Sequence, residues 1–326
     1  MQGLEPGSFR QSFRHDSKSR PDTKETICDM ISTTSDSRPK GLFVGLATVD
    51  LTYRVDEIPR RNQKISVPGQ QITAGGPATN AAATFAFLGG RAALVTAVGS
   101  HPLGTIIRAD LEKFDVALHD LARRRKEPPP VSSIMVLNGT GERTVVSANA
   151  AVFSPIPEEF NPRWLTGVQI LQVDGHYVPL CIAAARLAHE RGIPVVLDSG
   201  SWKAGMAELL RYIDIAICSD DYRPPGCRDI DDVLEFFAAR GIRKIAITRG
   251  AGPIRYVDHD ESGAIAIEKI RAVDTLGAGD IFHGAFCYYA GQPGHSFRDA
   301  LGVAARAATF SCRYSGTRLW MEKVSR

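Results

Sequence analysis

The sequence predicts an α/β fold: a mostly parallel central sheet covered on both faces, with a small half-exposed β-sheet beside it. Three observations carry that expectation. Short β-branched apolar runs alternate with amphipathic stretches between residues 92 and 248, the rhythm of βα units whose strands are buried on both faces. The runs 51–59, 64–73 and 132–147 are β-prone but too polar for the middle of a parallel sheet. A glycine-rich turn at residue 277 feeds directly into an apolar helix pattern.

Taken in order, residues 1–38 are rich in Ser, Asp, Arg and Lys and show little apolar periodicity, so a disordered extension is expected. The segment lacks the apolar core of a secretory signal, and its acidic residues nearly balance the basic ones, unlike a transit peptide. Order should begin with Gly41–Asp50, read as one buried strand ending in a carboxylate. Dinucleotide folds also begin this way, but no G-x-G-x-x-G follows. Asp50 alone reads equally as a ligand-binding group or as the start of a turn.

The runs 51–59 and 64–73 should form the small sheet, together with a hairpin over 132–147 that turns at Asn138-Gly139. Between them, Gly75 and Gly76 permit a tight strand-to-helix turn, and Pro77 suits a first helical turn. Asn80 in the first turn of an otherwise apolar helix is a misfit that structure alone does not require. Strands follow at 92–99, 168–174, 193–198, 213–218 and 244–248, with helices at 104–114 and 180–191. In such a sheet ligands sit at the carboxyl ends of the strands, where Asp50, Asp198, Thr248 and the Gly277 loop should gather. The loop Thr248-Arg249-Gly250-Ala251-Gly252 allows backbone approach to a ligand, or is a plain β-turn.

The richest stretch is Ala272–Phe286. Gly277, Ala278 and Gly279 leave backbone N–H groups bare at a helix N-terminus, where orphan donors and about half a positive charge converge. Asp280 sits at that positive end, which should keep it ionised. Amides for an anion beside a carboxylate base are what phosphoryl transfer to an alcohol requires. A capped, buried helix with glycines for close packing is the structural alternative. His283, three residues on, shares the helical face and reads as packing.

Composition bounds the partners. Hydrophobic content of 44% and charged content of 23% are those of a globular chain. A net charge of +3 does not argue for nucleic acid, and the cluster Arg123–Lys126 reads as a solvated loop. No apolar run reaches the roughly 18 residues of a membrane span. The six cysteines, Cys28, Cys181, Cys218, Cys227, Cys287 and Cys312, form no C-x-x-C pair, so buried thiols in a reducing cytoplasm are expected.

Asp274–Asp280 followed by Phe282-His283-Gly284-Ala285 resembles the C-terminal signature of the ribokinase-like (PfkB-type) carbohydrate and nucleoside kinases. Gly75-Gly76-x-x-x-Asn80, with Leu88-Gly89 beyond it, resembles the N-terminal signature of the same family. The resemblance spans about 41–320 and implies a three-layer kinase domain with a β-sheet lid near 51–73 and 132–147. It implies Asp280 as catalytic base and the Gly277, Ala278 and Gly279 amides as the hole for the transferred phosphoryl group. Asp50, Gly75, Gly76 and Asn80 would then hold the sugar, with Lys64 reaching an anionic substituent or merely solvated. Thr248, Arg249, Gly250 and Gly252 match the loop that holds nucleotide phosphates, although Arg249 replaces a Lys and Gly252 comes one residue early. The cofactors implied are ATP and Mg2+. The family's Asn-x-x-Glu motif is missing at Ser219–Tyr222, so the metal ligands stay unassigned. The expected function is transfer of the γ-phosphoryl group of Mg-ATP to a hydroxyl of a small carbohydrate, a ketose among the candidates. A nucleoside kinase and a catalytically idle sugar-binding regulator are the alternatives, and a homodimer through the lid is the expected assembly.

Overall fold

The computed structural model describes residues 38–151 and 153–324, so the expected N-terminal extension lies, apart from residue 38, outside the described residues. In chain order the strands are β1 (Lys40–Val44), β2 (Thr48–Val55), β3 (Gln70–Gly75), β4 (Arg91–Thr96), β5 (Ala117–Asp120), β6 (Val131–Leu137) and β7 (Arg143–Ser147). They continue as β8 (Ile170–Val173), β9 (Val195–Ser199), β10 (Ile215–Ser219), β11 (Lys244–Arg249), β12 (Gly252–Asp258) and β13 (Glu261–Ile265). Nine of them form one sheet in the order β13-β12-β11-β10-β9-β8-β1-β4-β5. It is parallel from β5 through β11, and β12 and β13 add antiparallel at one edge. The expected fold class holds.

Along β1, Phe43 points into one core and Leu42 and Val44 into the other, as the two-residue period of a strand requires. The Pro77–Phe87, Ala278–Ala290 and Phe297–Ser311 helices cover the first face; Val178–His189 and Ile230–Ala238 cover the second. A Cβ on Gly284 would lie 2.4 Å from the Ala81 carbonyl oxygen, so the Ala278–Ala290 and Pro77–Phe87 helices approach more closely there than any side chain permits.

The second sheet has four strands in the order β3-β2-β6-β7. Its register places Asp50 opposite Ser132, and Ser132 opposite Ser147, in one row across the sheet. The next row, on the opposite face, aligns Ile72, Leu51, Ser133 and Val146.

Two sequence expectations are corrected here. The run 41–50 is not one strand: it breaks at Gly45-Leu46-Ala47, and β1 and β2 belong to different sheets. The Asp174 carboxylate holds the break, accepting from the Leu46 N–H at 2.7 Å and the Ala78 N–H at 3.3 Å. Both halves are buried, so the apolar run carried no mark of the division. Asp50 therefore lies within a lid strand, not at the end of a central one. In the run 64–73 only Gln70 onward is strand; Pro68 lacks the N–H a ladder needs, and Lys64 is exposed in the loop before it.

Candidate active site

The loop Asp274–Gly277 is set by a buried carboxylate. Asp274 accepts from the Leu276 N–H and from the Gly316 N–H, each at 2.8 Å. Gly277 is the N-cap of the following helix at φ 67°, a left-handed conformation that favours glycine, and a Cβ there would fall 2.5 Å from Thr317. No side chain caps this helix. The Ala278 N–H turns back to the Thr275 carbonyl at 3.3 Å, a weak bond. A Cβ on Gly279 would meet no atom within 4 Å, so the space beside the first helical turn is open. Donors at a helix N-terminus before an open volume are an anion site.

Asp280 closes the loop. Its Oδ2 accepts from the Asn80 amide Nδ2 at 2.7 Å, the bond made possible by the close helix packing at Gly284. Burial first, and the charge of Asp198 second, push the Asp280 carboxyl up to about 7; the Asn80 donor, His283 and Arg143 pull it back. This corrects the expectation of a plainly ionised carboxylate: desolvation outweighs the helix N-terminus. A carboxyl tuned close to neutrality suits a general base.

His283 is buried between acceptors. Its Nδ1 lies 2.8 Å from the Gly279 carbonyl and 3.4 Å from Asp198, and its Nε2 lies 3.2 Å from the Ile217 carbonyl. Burial pulls the imidazole down, whereas both carbonyls and Asp280 pull it up. Burial outweighs them and leaves the imidazole below its ordinary value, so the ring is held neutral between the two carbonyls, while burial and the Asp174 charge push the neighbouring Asp198 carboxyl up to about 8. The sequence reading takes His283 as packing, and the buried ring held between two backbone carbonyls is consistent with that.

On the lid side, Asp50 is 5% exposed and its Oδ1 accepts from the Thr48 hydroxyl at 2.6 Å. Burial raises its carboxyl, and hydrogen bonds from Thr48 and Ser132 and the charge of Arg318 lower it. Gly75 lies flush against it: a Cβ there would sit 2.0 Å from Asp50 Oδ2. Gly76 has φ 96° and would drive a Cβ to 2.3 Å from the Leu46 carbonyl. Gly75 therefore leaves room for the buried carboxylate, and Gly76 leaves room for the turn against the break between β1 and β2.

Asn80, expected at a sugar hydroxyl, gives one amide hydrogen to Asp280, and its oxygen accepts from Arg318, 2.9 Å away. One N–H remains for a ligand. The lid hairpin also reaches the anion loop. Arg143 Nη1 donates to the Thr275 carbonyl and hydroxyl at 3.1 and 3.0 Å, and the Thr275 hydroxyl donates to the Gly141 carbonyl at 3.0 Å. A cleft of about 490 Å³ lies between them, lined by Leu137, Glu142, Arg143, Thr144, Val145 and Thr275; Asp50, Asn80 and Asp280 do not line it. Sequence reasoning missed Arg143, Asp174, Arg318 and Asp110, because their partners lie far away along the chain.

Thr248, Arg249, Gly250 and Gly252 form the β11–β12 hairpin turn, with Arg249 paired to Gly252. The Arg249 side chain donates to Asp220 Oδ2 at 3.3 Å, and Asp220 also holds Arg223. Asp220 is thus already neutralised by two arginines. Among the described residues no cluster of three or more His, Cys, Asp or Glu could cage a metal ion. No helix among them is long and apolar enough to cross a membrane.

Against known proteins, residues 39–323 match the pfkB family carbohydrate kinase model. An ATP-dependent ribose-1-phosphate kinase of Halopiger xanaduensis is 28% identical, over 75% of this chain and 82% of its own length. A ribokinase of Staphylococcus aureus is 24% identical, over 85% and 94%. Mouse ketohexokinase is 22% identical, over 84% and 96%. Among solved structures, Arabidopsis thaliana ribokinase complexed with ribose and ATP superposes with a TM-score of 0.70 at 22% identity, covering 88% of this chain and 98% of that one. Adenosine kinase from Sinorhizobium meliloti gives 0.71 at 22% identity, covering 86% and 96%. With 39–323 inside the family model, the chain belongs to the pfkB family of carbohydrate kinases, and it is an ATP-dependent carbohydrate kinase.

Proposed function

We propose that this kinase transfers the γ-phosphoryl group of Mg-ATP to a hydroxyl of a small sugar, a pentose or a ketose, with Asp280 as the base. The observation that carries this reading is the pairing of Asn80 with Asp280 at 2.7 Å beside the open volume at Gly279. ATP supplies the electrophilic phosphorus, and Mg2+ bound with it would offset the charge of its phosphates. Asp280 accepts the hydroxyl proton as oxygen attacks; the amides of the Gly277–Gly279 turn and the helix N-terminus hold the phosphoryl oxygens. Asp50, with Gly75 flush against it, accepts from sugar hydroxyls, and the remaining Asn80 N–H donates to one. Thr248, Arg249, Gly250 and Gly252 lie at the carboxyl edge of β11 for the nucleotide, and the exposed Lys64 contributes little. A small polyol is favoured over a nucleoside because the row facing the site is Asp50, Ser132 and Ser147, with no aromatic ring in it to stack a base. ADP release measured across sugars and nucleosides tests the choice; turnover with nucleosides alone would reverse it.

A pH dependence follows from the tuning of Asp280. The base works only when ionised, so kcat/KM should fall about tenfold per unit below the Asp280 pKa of about 7. A profile flat down to pH 5 would remove Asp280 from that role.

The lid's outer row supports a homodimer. Ile72 and Val146 are 47% and 67% exposed, and the register aligns them with Leu51 on one face. Exposed apolar residues in one row of a four-stranded sheet call for a cover, and a second lid has the matching pattern. Val146→Lys combined with Ile72→Lys should halve the mass seen in sedimentation. If the native chain already sediments as a monomer, the dimer is wrong.

A further inference from the structure

We infer that Arg318, anchored on Asp110, is a positioning residue that orients the Asn80 amide and thereby sets the geometry of Asp280. Arg318 precedes the Leu319–Val324 helix, and its side chain is 9% exposed. Its Nε donates to both Asp110 oxygens at 3.2 and 3.1 Å, and its Nη2 donates to Oδ2 at 2.8 Å. This fork grips the carboxylate on the Gly104–Lys113 helix and fixes the guanidinium plane. Nη1 is left to donate to Asn80 Oδ1 at 2.9 Å. A guanidinium has donors only, so it must face the amide oxygen. The amide NH2 is then forced toward Asp280, where the 2.7 Å bond lies. Without Arg318 the amide could flip and set its oxygen against the carboxylate, turning an attraction into a repulsion. The chain Asp110–Arg318–Asn80–Asp280 joins three helices and the C-terminal loop into one hydrogen-bonded line.

A second observation points the same way. Arg318 is also the charged group that lowers the Asp50 carboxyl, so one buried cation acts on Asp50 by its charge and on Asp280 only through Asn80. The groups facing Asp280 are Asn80 from the Pro77–Phe87 helix, Asp198 from β9, Arg143 from β7 and His283 on its own helix. None of the other three fixes the amide. A guanidinium at this position that merely stapled the C-terminus to the body would need Asp110 but not Asn80.

The inference rests on Asp280 being the base, and the test keeps the two apart. Arg318→Met, Arg318→Lys and Asp110→Asn are made alone and in an Asn80→Ala background. Arg318→Met should lower kcat by about 10- to 100-fold with the ATP KM within about twofold, because the base is misplaced while the nucleotide side is untouched. Arg318→Lys should recover part of that, since an ammonium still donates to Asn80 Oδ1. In the Asn80→Ala background, Arg318→Met should add no more than about twofold, the amide it orients being gone. Equal losses in both backgrounds, or a lowered Tm with unchanged kcat, would overturn the inference. Should Arg318→Met fail to fold, Arg318→Lys and Asp110→Asn carry the same cycle. A readout independent of turnover is the carboxyl titration of Asp280 in 13C-aspartate-labelled protein. Its midpoint should rise in both Arg318→Met and Asn80→Ala, and an unmoved midpoint in Arg318→Met would reject the positioning role. Absence of phosphoryl transfer by the native chain would reject only the proposed base.

Discussion

Asp280→Asn should lower kcat by about two to four orders of magnitude while leaving ATP affinity within a few-fold of native. The amide is nearly isosteric, so the Gly277–Gly279 turn and the open space at Gly279 survive the change. What disappears is the proton acceptor. Asn80 also loses an anionic partner, and its N–H then faces an amide that can still present oxygen to it. Binding of ATP by calorimetry, beside turnover on the best acceptor from the sugar panel, separates the two effects. Turnover within tenfold of native would show that the acceptor hydroxyl loses its proton elsewhere.

The same substitution should change stability with the opposite sign. Asp280 binds its proton more tightly folded than unfolded, with a pKa of about 7 against an ordinary 3.8. The folded state is therefore favoured while the carboxyl is protonated, and that advantage drains away as pH rises from about 4 through about 7. Above that range native protein holds an ionised, buried carboxylate close to Asp198. Asp280→Asn removes the burden, so its Tm should exceed the native value at pH 8, and the gap should narrow at pH 5 and close only below about pH 4. A gap of the same size at both pH values would mean the carboxyl is not desolvated in solution. Loss of activity with gain of stability is the signature of a group kept for chemistry.

Local strings made much of the site legible. Gly277, Gly279 and Asp280 are neighbours in sequence, and a turn's need for small residues is written in consecutive positions. The same is true of Gly75 and Gly76, whose steric reasons appear only in the structure: one lies against Asp50, the other against the Leu46 carbonyl. The parallel strands were legible because burial on both faces leaves unbroken apolar runs. That same burial hid the break between β1 and β2, which depends on Asp174, a residue more than 120 positions away in its bond to Leu46. The antiparallel strands β12 and β13 are partly exposed and carry no run to recognise. Ionisation was illegible for a different reason. The helix N-terminus that argues for an ionised Asp280 is local, while the burial and the Asp198 charge that overrule it come from tertiary packing. Arg318 and Asp110 are separated by 208 positions, and nothing near either residue announces the pair.

Gly284→Val should damage both folding and chemistry, because one contact sets both. At this position a Cβ would come within 2.4 Å of the Ala81 carbonyl oxygen and 2.7 Å of Thr84 Cβ. The first of these is backbone within a helix, which has no rotamer to escape into, so the two helices must part. Overpacking of that kind costs about 1–3 kcal/mol, and a branched side chain belongs at the upper end. The separation falls where the site is built: Asn80 precedes Ala81, and Asp280 lies one turn before Gly284 on the same face. Their 2.7 Å hydrogen bond cannot survive a shift of an ångström, and misplacement on that scale costs about 100-fold in rate. Melting followed by circular dichroism should show a lower Tm with the helix content retained. Steady-state kinetics on the folded fraction should show kcat reduced about 100-fold, with the ATP KM little changed because the contact at Gly284 is with Ala81 and Thr84 and not with the β11–β12 turn. Gly284→Ala, with one methyl against the same carbonyl, should fall between the two. If Gly284→Val lowers Tm yet turns over normally, the helix contact at Gly284 does not govern the distance between Asn80 and Asp280.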